Sequence, residues 1–225
     1  MTKIGLYESI SEIRGYYNIG WNDYPINCIS CCKSTYGIEV GIVPFRTKGL
    51  RGMAVIGDRN QNDLILLNEH RSNNELNFDC GHELMHLCFH RERKKSFNCF
   101  QEVLPQQNKY IEWQANEGSA EFLIPYKLFL PLVKQYYDTF YSWQNIMHFR
   151  AIAAEMFNVS ESVINYRLEN LKYELHQYLA GIPLEKVNLL SNSQQSIRNI
   201  HVQSIVDKEI ELLDMDFSNW DAVGW

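Results

Sequence analysis

The sequence predicts an α+β fold, in which a small sheet of antiparallel or mixed strands packs on helices and a further helical segment follows. Two patterns of apolar residues support this prediction: alternation typical of strands over residues 38–68, and helical spacing from about residue 77 to residue 178. Composition agrees, since 45% of the residues are hydrophobic and 13% aromatic, too many for a disordered chain.

Three strands are predicted ahead of the main helices. Residues 38–44 alternate between apolar and other side chains, and residues 53–56 and 64–68 form short apolar runs. The segment between the last two runs, residues 57–63, has the glycine, asparagine and aspartate content of a turn. The second and third strands therefore form a predicted β-hairpin.

Helices are predicted on both sides of the strands. Residues 3–36 look helical, with interruptions at glycine and proline. Helical spacing resumes near Asn77, and either Asn77 or Asp79 is expected to cap that helix. Residues 191–196 are expected to be a linker or an exposed turn. Three further helices are predicted over residues 110–124, 142–157 and 160–178.

The net charge of −6 is concentrated near the C-terminus, where residues 206–225 hold six acidic residues and one lysine. No broad basic surface is indicated, so nucleic acid is not an expected partner. The tail also carries Phe217, Trp220 and Trp225. We expect it either to fold back onto the protein or to dock on a basic partner.

No apolar run is long enough to span a membrane, and the N-terminus lacks the features of a secretory signal. We therefore expect no membrane association and a cytoplasmic location. Of the six cysteines, Cys28 and Cys31 form a lone C-x-x-C pair. The favoured interpretation is small apolar residues on a buried helix face, and a zinc ribbon is the weaker alternative.

The clearest chemical signal is Gly81–His86, which contains the pattern H-E-x-x-H. On a helix, the four-residue spacing places His82 and His86 on one face, close enough to share a metal ion. Glu83 lies beside them, where it can reach a metal-activated water molecule. A core helix that bears histidines without a metal is the disfavoured alternative.

A catalytic zinc site needs a third protein ligand and keeps one position open for water. Glu112, on the next predicted helix, is the first candidate, and Glu117 and Glu121 compete with it. Asn116 lies four residues after Glu112 and is expected to support an imidazole as a hydrogen-bond partner. Two imidazoles and one carboxylate suit a single zinc ion better than manganese.

This set of residues predicts hydrolysis of peptide bonds. Zinc lowers the pKa of water from about 15.7 towards about 7 and polarises a carbonyl group. Glu83 is expected to accept the proton and pass it to the leaving amine. A further donor to the oxyanion is expected from Tyr110, His148 or Arg167.

The third strand is expected to bind an extended substrate by main-chain pairing, as an edge strand above the site. A plain core strand is the alternative. The residues concerned are Leu64, Ile65, Leu66, Leu67 and Asn68.

Three blocks of the sequence resemble the ImmA/IrrE family of zinc metallopeptidases. The first runs from Gly37–Val40 through the predicted hairpin to Phe78–His86. The second, Glu112–Pro125, is similar to the family's segment of glutamate, Ala-Asn and Leu-Leu-x-Pro. The third, Phe157–Leu168, is similar to its Phe-x-Val-Ser … Arg-Leu helix pair. The likeness covers about residues 26–175.

Three positions depart from the family pattern. Gly118 stands where an aromatic residue is usual, Ser119 where alanine is usual, and Gln114 where a second glutamate is common. Glycine inside a helix costs about 1 kcal/mol relative to alanine. These departures bear on local packing more than on the metal site, because Glu112 and Asn116 are retained.

The resemblance implies zinc ligands at His82, His86 and Glu112 and a base at Glu83. It also implies a zincin-like fold. We accordingly expect a metallopeptidase domain with N-terminal helices, a helix-turn-helix-like subdomain, and an extension with an acidic, aromatic tail; these span residues 1–135, 136–180 and 181–225.

The resemblance further implies a substrate class: helix-turn-helix transcriptional repressors, cleaved to relieve repression, often in connection with mobile elements or stress responses. One alternative is a catalytically silent protein of this fold that binds a regulator or an antitoxin-like partner. Another is a DNA-binding regulator that uses residues 146–172. The latter is disfavoured because the second helix of that pair carries few bases, only Arg167 and Lys172.

Overall fold

The computed structural model describes residues 1–58, 60–102 and 104–222, with side chains described up to residue 216. The chain divides into two units. The sheet unit comprises Leu6–Ile124 and Phe157–Val159, and the helical unit comprises Met1–Gly5, Pro125–Met156 and Ser160–Trp225. Strands and helices together give the predicted α+β fold.

The sheet unit contains helix α1 (Lys3–Tyr16) from Leu6 onwards and the short helix α2 (Cys28–Lys33), followed by a mixed sheet. The four strands described are β1 (Ile38–Val43), β2 (Leu50–Val55), β3 (Asp63–Asn68) and β4 (Ser96–Phe100). Their order is β1-β3-β2-β4, with β1 parallel to β3 and β2 antiparallel to both of its neighbours. The predicted hairpin of β2 and β3 is confirmed.

Helix α3 (Asn73–Phe89) packs against the sheet and carries the histidines. Its predicted start near Asn77 is wrong. The helix begins at Asn73 because Ser72 and Glu75 form a reciprocal capping box that satisfies the first free N–H groups. Asn77 is buried instead, where its side chain accepts from Cys28 N at 2.8 Å and donates to Ile26 O at 2.9 Å.

Helix α4 (Lys109–Leu123) lies against α3 at very short range. A Cβ atom on Gly81 would come within 2.4 Å of Ser119 Oγ, and one on Gly118 would come within 2.9 Å of Met85 Sδ. Ser119 also donates a hydrogen bond to Phe78 O at 3.0 Å. Gly118 therefore leaves room for Met85 of α3, and Ser119 lies against Gly81 of α3. Both of these residues, which depart from the family pattern, lie at this close helix contact.

The helical unit contains six α-helices among the described residues. They are α5 (Tyr126–Tyr137), α6 (Trp143–Phe157), α7 (Glu161–Asn170), α8 (Lys172–Leu179), α9 (Asn192–Ile197) and α10 (Ile205–Ala222).

The helical unit departs from the sequence prediction in three places. The sequence patterns do not predict helix α5, which begins directly after Pro125, where the preceding predicted helix ends; proline is tolerated at a helix start, and Pro131 lies inside α5. The predicted single helix over residues 160–178 ends at Asn170 and resumes at Lys172. The predicted linker at residues 191–196 forms α9, because Ser191 and Gln194 make a capping box.

The acidic tail folds back within the helical unit as far as its side chains are described. Glu209 accepts a hydrogen bond from Arg150, and Asp216 accepts one from Trp143 Nε1 at 2.8 Å. The side chains of Phe217, Trp220 and Trp225 lie outside the described residues. None of the described helices is long and apolar enough to cross a membrane.

Replacing Ser72 with alanine should lower the free energy of unfolding by about 1 kcal/mol, because the capping hydrogen bond to Glu75 N is lost. Urea denaturation measures the change. Ser160→Ala is the matched control, since Ser160 occupies an N-cap position without a side-chain capping bond. Equal losses in the two variants would show that the capping box at α3 contributes nothing.

Candidate metal centre

Two imidazoles face each other on helix α3. His82 and His86 are both buried, and their Nε2 atoms lie 3.1 Å apart. One helical turn separates the two residues, so their side chains leave the same face of the helix. Both nitrogen atoms therefore point towards one shared position.

Helix α4 supplies a carboxylate to that position. Glu112 Oε2 lies 3.3 Å from His82 Nε2 and 3.9 Å from His86 Nε2. Glu117 accepts a hydrogen bond from Tyr7 instead. Neither Glu117 nor Glu121 belongs to a group of potential metal ligands in the described part of the chain. The geometry thus favours Glu112 among the three glutamates that the sequence offers.

The separations between these donors fit a single metal ion. Ligand atoms about 2.0–2.1 Å from a tetrahedral zinc ion lie about 3.3 Å from one another. The ligand atoms of His82, His86 and Glu112 all lie within 4.8 Å of each other. Burial lowers the pKa of His86, which favours the neutral imidazole that binds metals. Burial also acts to lower the pKa of His82, but Cys99, Glu112 and Glu83 raise it well above its ordinary value, so this position favours positive charge.

Glu83 lies fully buried beside the histidines, and neither carboxylate oxygen has a hydrogen-bond partner among the described residues. Burial raises the pKa of Glu83 to about 8. Gly52 of β2 leaves room for the Glu83 side chain, because a Cβ atom on Gly52 would approach Glu83 Oε1 to 2.7 Å. A buried carboxylate without a partner is unfavourable unless a cation or a bound proton donor compensates it. The arrangement therefore fits a metal ion with water beside it.

A second set of side chains holds the imidazoles in place. Asn116 Oδ1 lies 2.9 Å from His82 Nδ1, the contact expected from the sequence. His90 Nδ1 lies 2.9 Å from His86 Nδ1, and His90 Nε2 lies 3.3 Å from Gln114 Oε1. Such partners orient the ring and set the tautomer of a metal-binding histidine.

Sequence reasoning missed several of these residues. The sequence pattern indicates no function for His90, although it follows His86 by one further helical turn. Phe97 stacks on His86 with 4.5 Å between ring centroids, and it lies on β4, a strand too short to stand out in the sequence. Cys99 of β4 has its sulfur near the ligand atoms of His82 and Glu83 and accepts a hydrogen bond from Arg51 at 3.0 Å. Arg51 lies at a register shift between β2 and β4, which sequence patterns do not show.

The predicted role of Leu64–Asn68 as an edge strand for substrate is wrong. These residues form β3, which pairs with β1 on one side and with β2 on the other. Its main-chain groups are therefore already used, and the alternative of a plain core strand holds. Within the described sheet, β4 is an edge strand, and it borders the candidate site through Phe97.

The three candidate oxyanion donors differ in where they lie. Tyr110 is at the start of α4, 41% exposed and stacked on Trp113. His148 and Arg167 lie on α6 and α7 of the helical unit, and Arg167 is fully buried. The metal-ligand group lies within the sheet unit, and Tyr110 is the one of the three in that unit.

The chain matches a known protein family. The family model for peptidase M78, described as the IrrE N-terminal-like domain, matches residues 34–169. The match includes the sheet, α3 and α4 with all residues of the candidate site. A search of curated proteins found no match.

Replacing Gly52 with alanine should reduce peptidase activity by about 100-fold, because the added Cβ displaces the Glu83 carboxylate and misplaced catalytic groups lose rate steeply. Zinc content should not change. Gly15→Ala is the control, since nothing lies within 4 Å of that Cβ position. Full activity of the Gly52→Ala variant would show that activity does not depend on where the Glu83 carboxylate lies.

Replacing His90 with phenylalanine should weaken zinc affinity by about 10- to 100-fold, because His86 loses the partner that orients its ring. Competition with a chromophoric chelator measures the affinity. His70→Phe makes the same chemical change at an exposed position and should leave the affinity unchanged. Unchanged affinity in His90→Phe would mean that the contact between the two rings does not support the site.

Proposed function

Because the chain belongs to the peptidase M78 family of IrrE N-terminal-like domains, we propose that it is a zinc-dependent endopeptidase. One observation carries this proposal: two imidazoles and a carboxylate converge on one position, beside a buried carboxylate with no partner among the described residues. A protein that only binds its partner has no need for a buried, unpaired Glu83.

In this proposal His82, His86 and Glu112 hold the ion, while Asn116 and His90 keep the two imidazoles in orientation. A zinc ion in this place supplies an acidified water molecule and polarises the substrate carbonyl. In its ionised form, which a cation at this position favours, Glu83 takes the proton of the attacking water on its carboxylate and delivers it to the leaving amine. Burial of Glu83 keeps bulk water from competing for that proton.

We assign the substrate strand to β4. A cavity of about 150 Å³ lies between β4 and the start of α4 and includes Glu112 in its lining. An edge strand can pair with an extended peptide through its free main-chain groups. The side chain of Gln107 donates to Asn98 O at 2.9 Å and lies where such a peptide would pair. A substrate would displace Gln107 from this contact.

The proposed substrate is a helix-turn-helix transcriptional repressor, cleaved in the cytoplasm to relieve repression. The support is the family resemblance. Direct DNA binding by α6 and α7 is not part of the proposal, since Arg167, one of the few bases there, is fully buried.

Replacing Glu83 with glutamine tests the proposal. The variant should keep one zinc ion at the His82–His86–Glu112 site and lose cleavage by at least about 100-fold, because the amide cannot accept the proton. The measurement co-produces the protein with a candidate helix-turn-helix repressor, and follows the full-length repressor and its new N-terminus by mass spectrometry.

Glu92→Gln is the control, since Glu92 is exposed and lies outside the site. If the Glu83→Gln variant relieved repression as fully as the unmodified protein does, the peptidase proposal would be overturned. Such a result would support a protein of this fold that acts by binding its regulator.

A further inference from the structure

A second group of metal-binding side chains lies in the sheet unit, separate from the His82–His86–Glu112 set. Cys28 and Cys32 on α2 and Cys80 on α3 are all fully buried. Their three sulfur atoms lie within 4.8 Å of one another, and Cys32 Sγ and Cys80 Sγ are 3.8 Å apart. The C-x-x-C pair that stands out in the sequence, Cys28 and Cys31, is not this group, because Cys31 does not belong to it.

The spacing suits a shared ion. Sulfur atoms about 2.3 Å from a tetrahedral zinc ion lie about 3.8 Å from one another. Cys28 and Cys32 are one helical turn apart, so both sulfurs leave the same face of α2 towards α3. The side chain of Asn77 fixes the backbone there by its bonds to Cys28 N and Ile26 O. These hydrogen bonds hold α2 next to α3, so the sulfur atoms lie close together without any bond between them.

Buried cysteines are also ordinary small core residues. Two features distinguish this group. Three sulfurs from two helices face a single point, whereas the other cysteines, Cys31, Cys88 and Cys99, do not join them. In addition, α2 has six residues, too few for a stable isolated helix, so its place depends on what binds it to α3.

We propose that Cys28, Cys32 and Cys80 bind a second metal ion, a soft thiophilic cation such as Zn²⁺, which links α2 to the helix that carries His82 and His86. Thiolate sulfur is the donor that such cations prefer. Binding releases the three thiol protons to solvent, and the three thiolates occupy three coordination positions of the ion. This site is structural, and it does not depend on the proposed peptidase activity.

Cobalt titration of the metal-free protein tests this proposal. Co²⁺ bound by thiolates gives an intense sulfur-to-cobalt charge-transfer band in the near ultraviolet, which imidazole and carboxylate ligands do not give. We expect two cobalt ions per chain and a charge-transfer band. Cys28→Ala/Cys32→Ala should lose the band and one ion, and the matched control Cys31→Ala/Cys88→Ala should keep both.

Two further variants separate this site from the catalytic one. His82→Ala/His86→Ala should keep the band and bind one cobalt ion instead of two. Cys99→Ser should keep the full band, which excludes Cys99 beside the histidines as its source. If the double cysteine variant does not fold, Cys99→Ser and Cys31→Ala/Cys88→Ala decide together, because Cys28, Cys32 and Cys80 are the cysteines that both proteins retain. Absence of the band from either of these proteins, or its survival in Cys28→Ala/Cys32→Ala, would overturn the proposal.

Discussion

The close approach of α3 and α4 is the constraint on which the candidate site depends. Glu112 can face His82 and His86 only if the two helices pack almost backbone to backbone. Gly81 provides this on one helix and Gly118 on the other, since a Cβ atom at either position would meet the opposing helix. Glycine inside a helix costs about 1 kcal/mol relative to alanine, so the short distance is obtained at some expense in local stability. A third glycine, Gly52 on β2, makes the same kind of room for Glu83.

This packing determines which ionisable groups are buried in the interior. The approach of α4 and the sheet buries His82, His86 and Glu83 almost completely, and Cys99, Glu112 and Glu83 raise the pKa of His82, which favours positive charge at that residue. Two buried oxygens of Glu83 lack partners within the described chain. In the proposed function, a cation held by the imidazoles and Glu112 compensates these charges further. In this proposal, metal binding, folding of this region and the reactivity of Glu83 are therefore coupled.

The sequence predicts the site better than its surroundings. His82, Glu83 and His86 share a short motif with a fixed helical geometry, and the likeness of Glu112–Pro125 to a family segment adds Glu112 and Asn116. Contacts that depend on tertiary packing were missed: His90 behind His86, Phe97 on a five-residue strand, and Arg51 at a register shift. The substrate strand was misplaced because the sequence patterns predict β3 but not β4, and only the sheet order shows that β4, not β3, is an edge strand of the described sheet. Ser72 and Ser191 were missed as helix caps, although each forms a recognisable capping box with the residue three positions later.

Anomalous diffraction from crystals of the zinc-loaded protein, recorded on both sides of the zinc absorption edge, tests the central claim most directly. The account predicts a zinc peak about 2.0–2.2 Å from His82 Nε2, His86 Nε2 and a carboxylate oxygen of Glu112, with Glu83 near the ion but not bound to it. A peak that lacks Glu112 as a ligand, or no peak between α3 and α4, would contradict it.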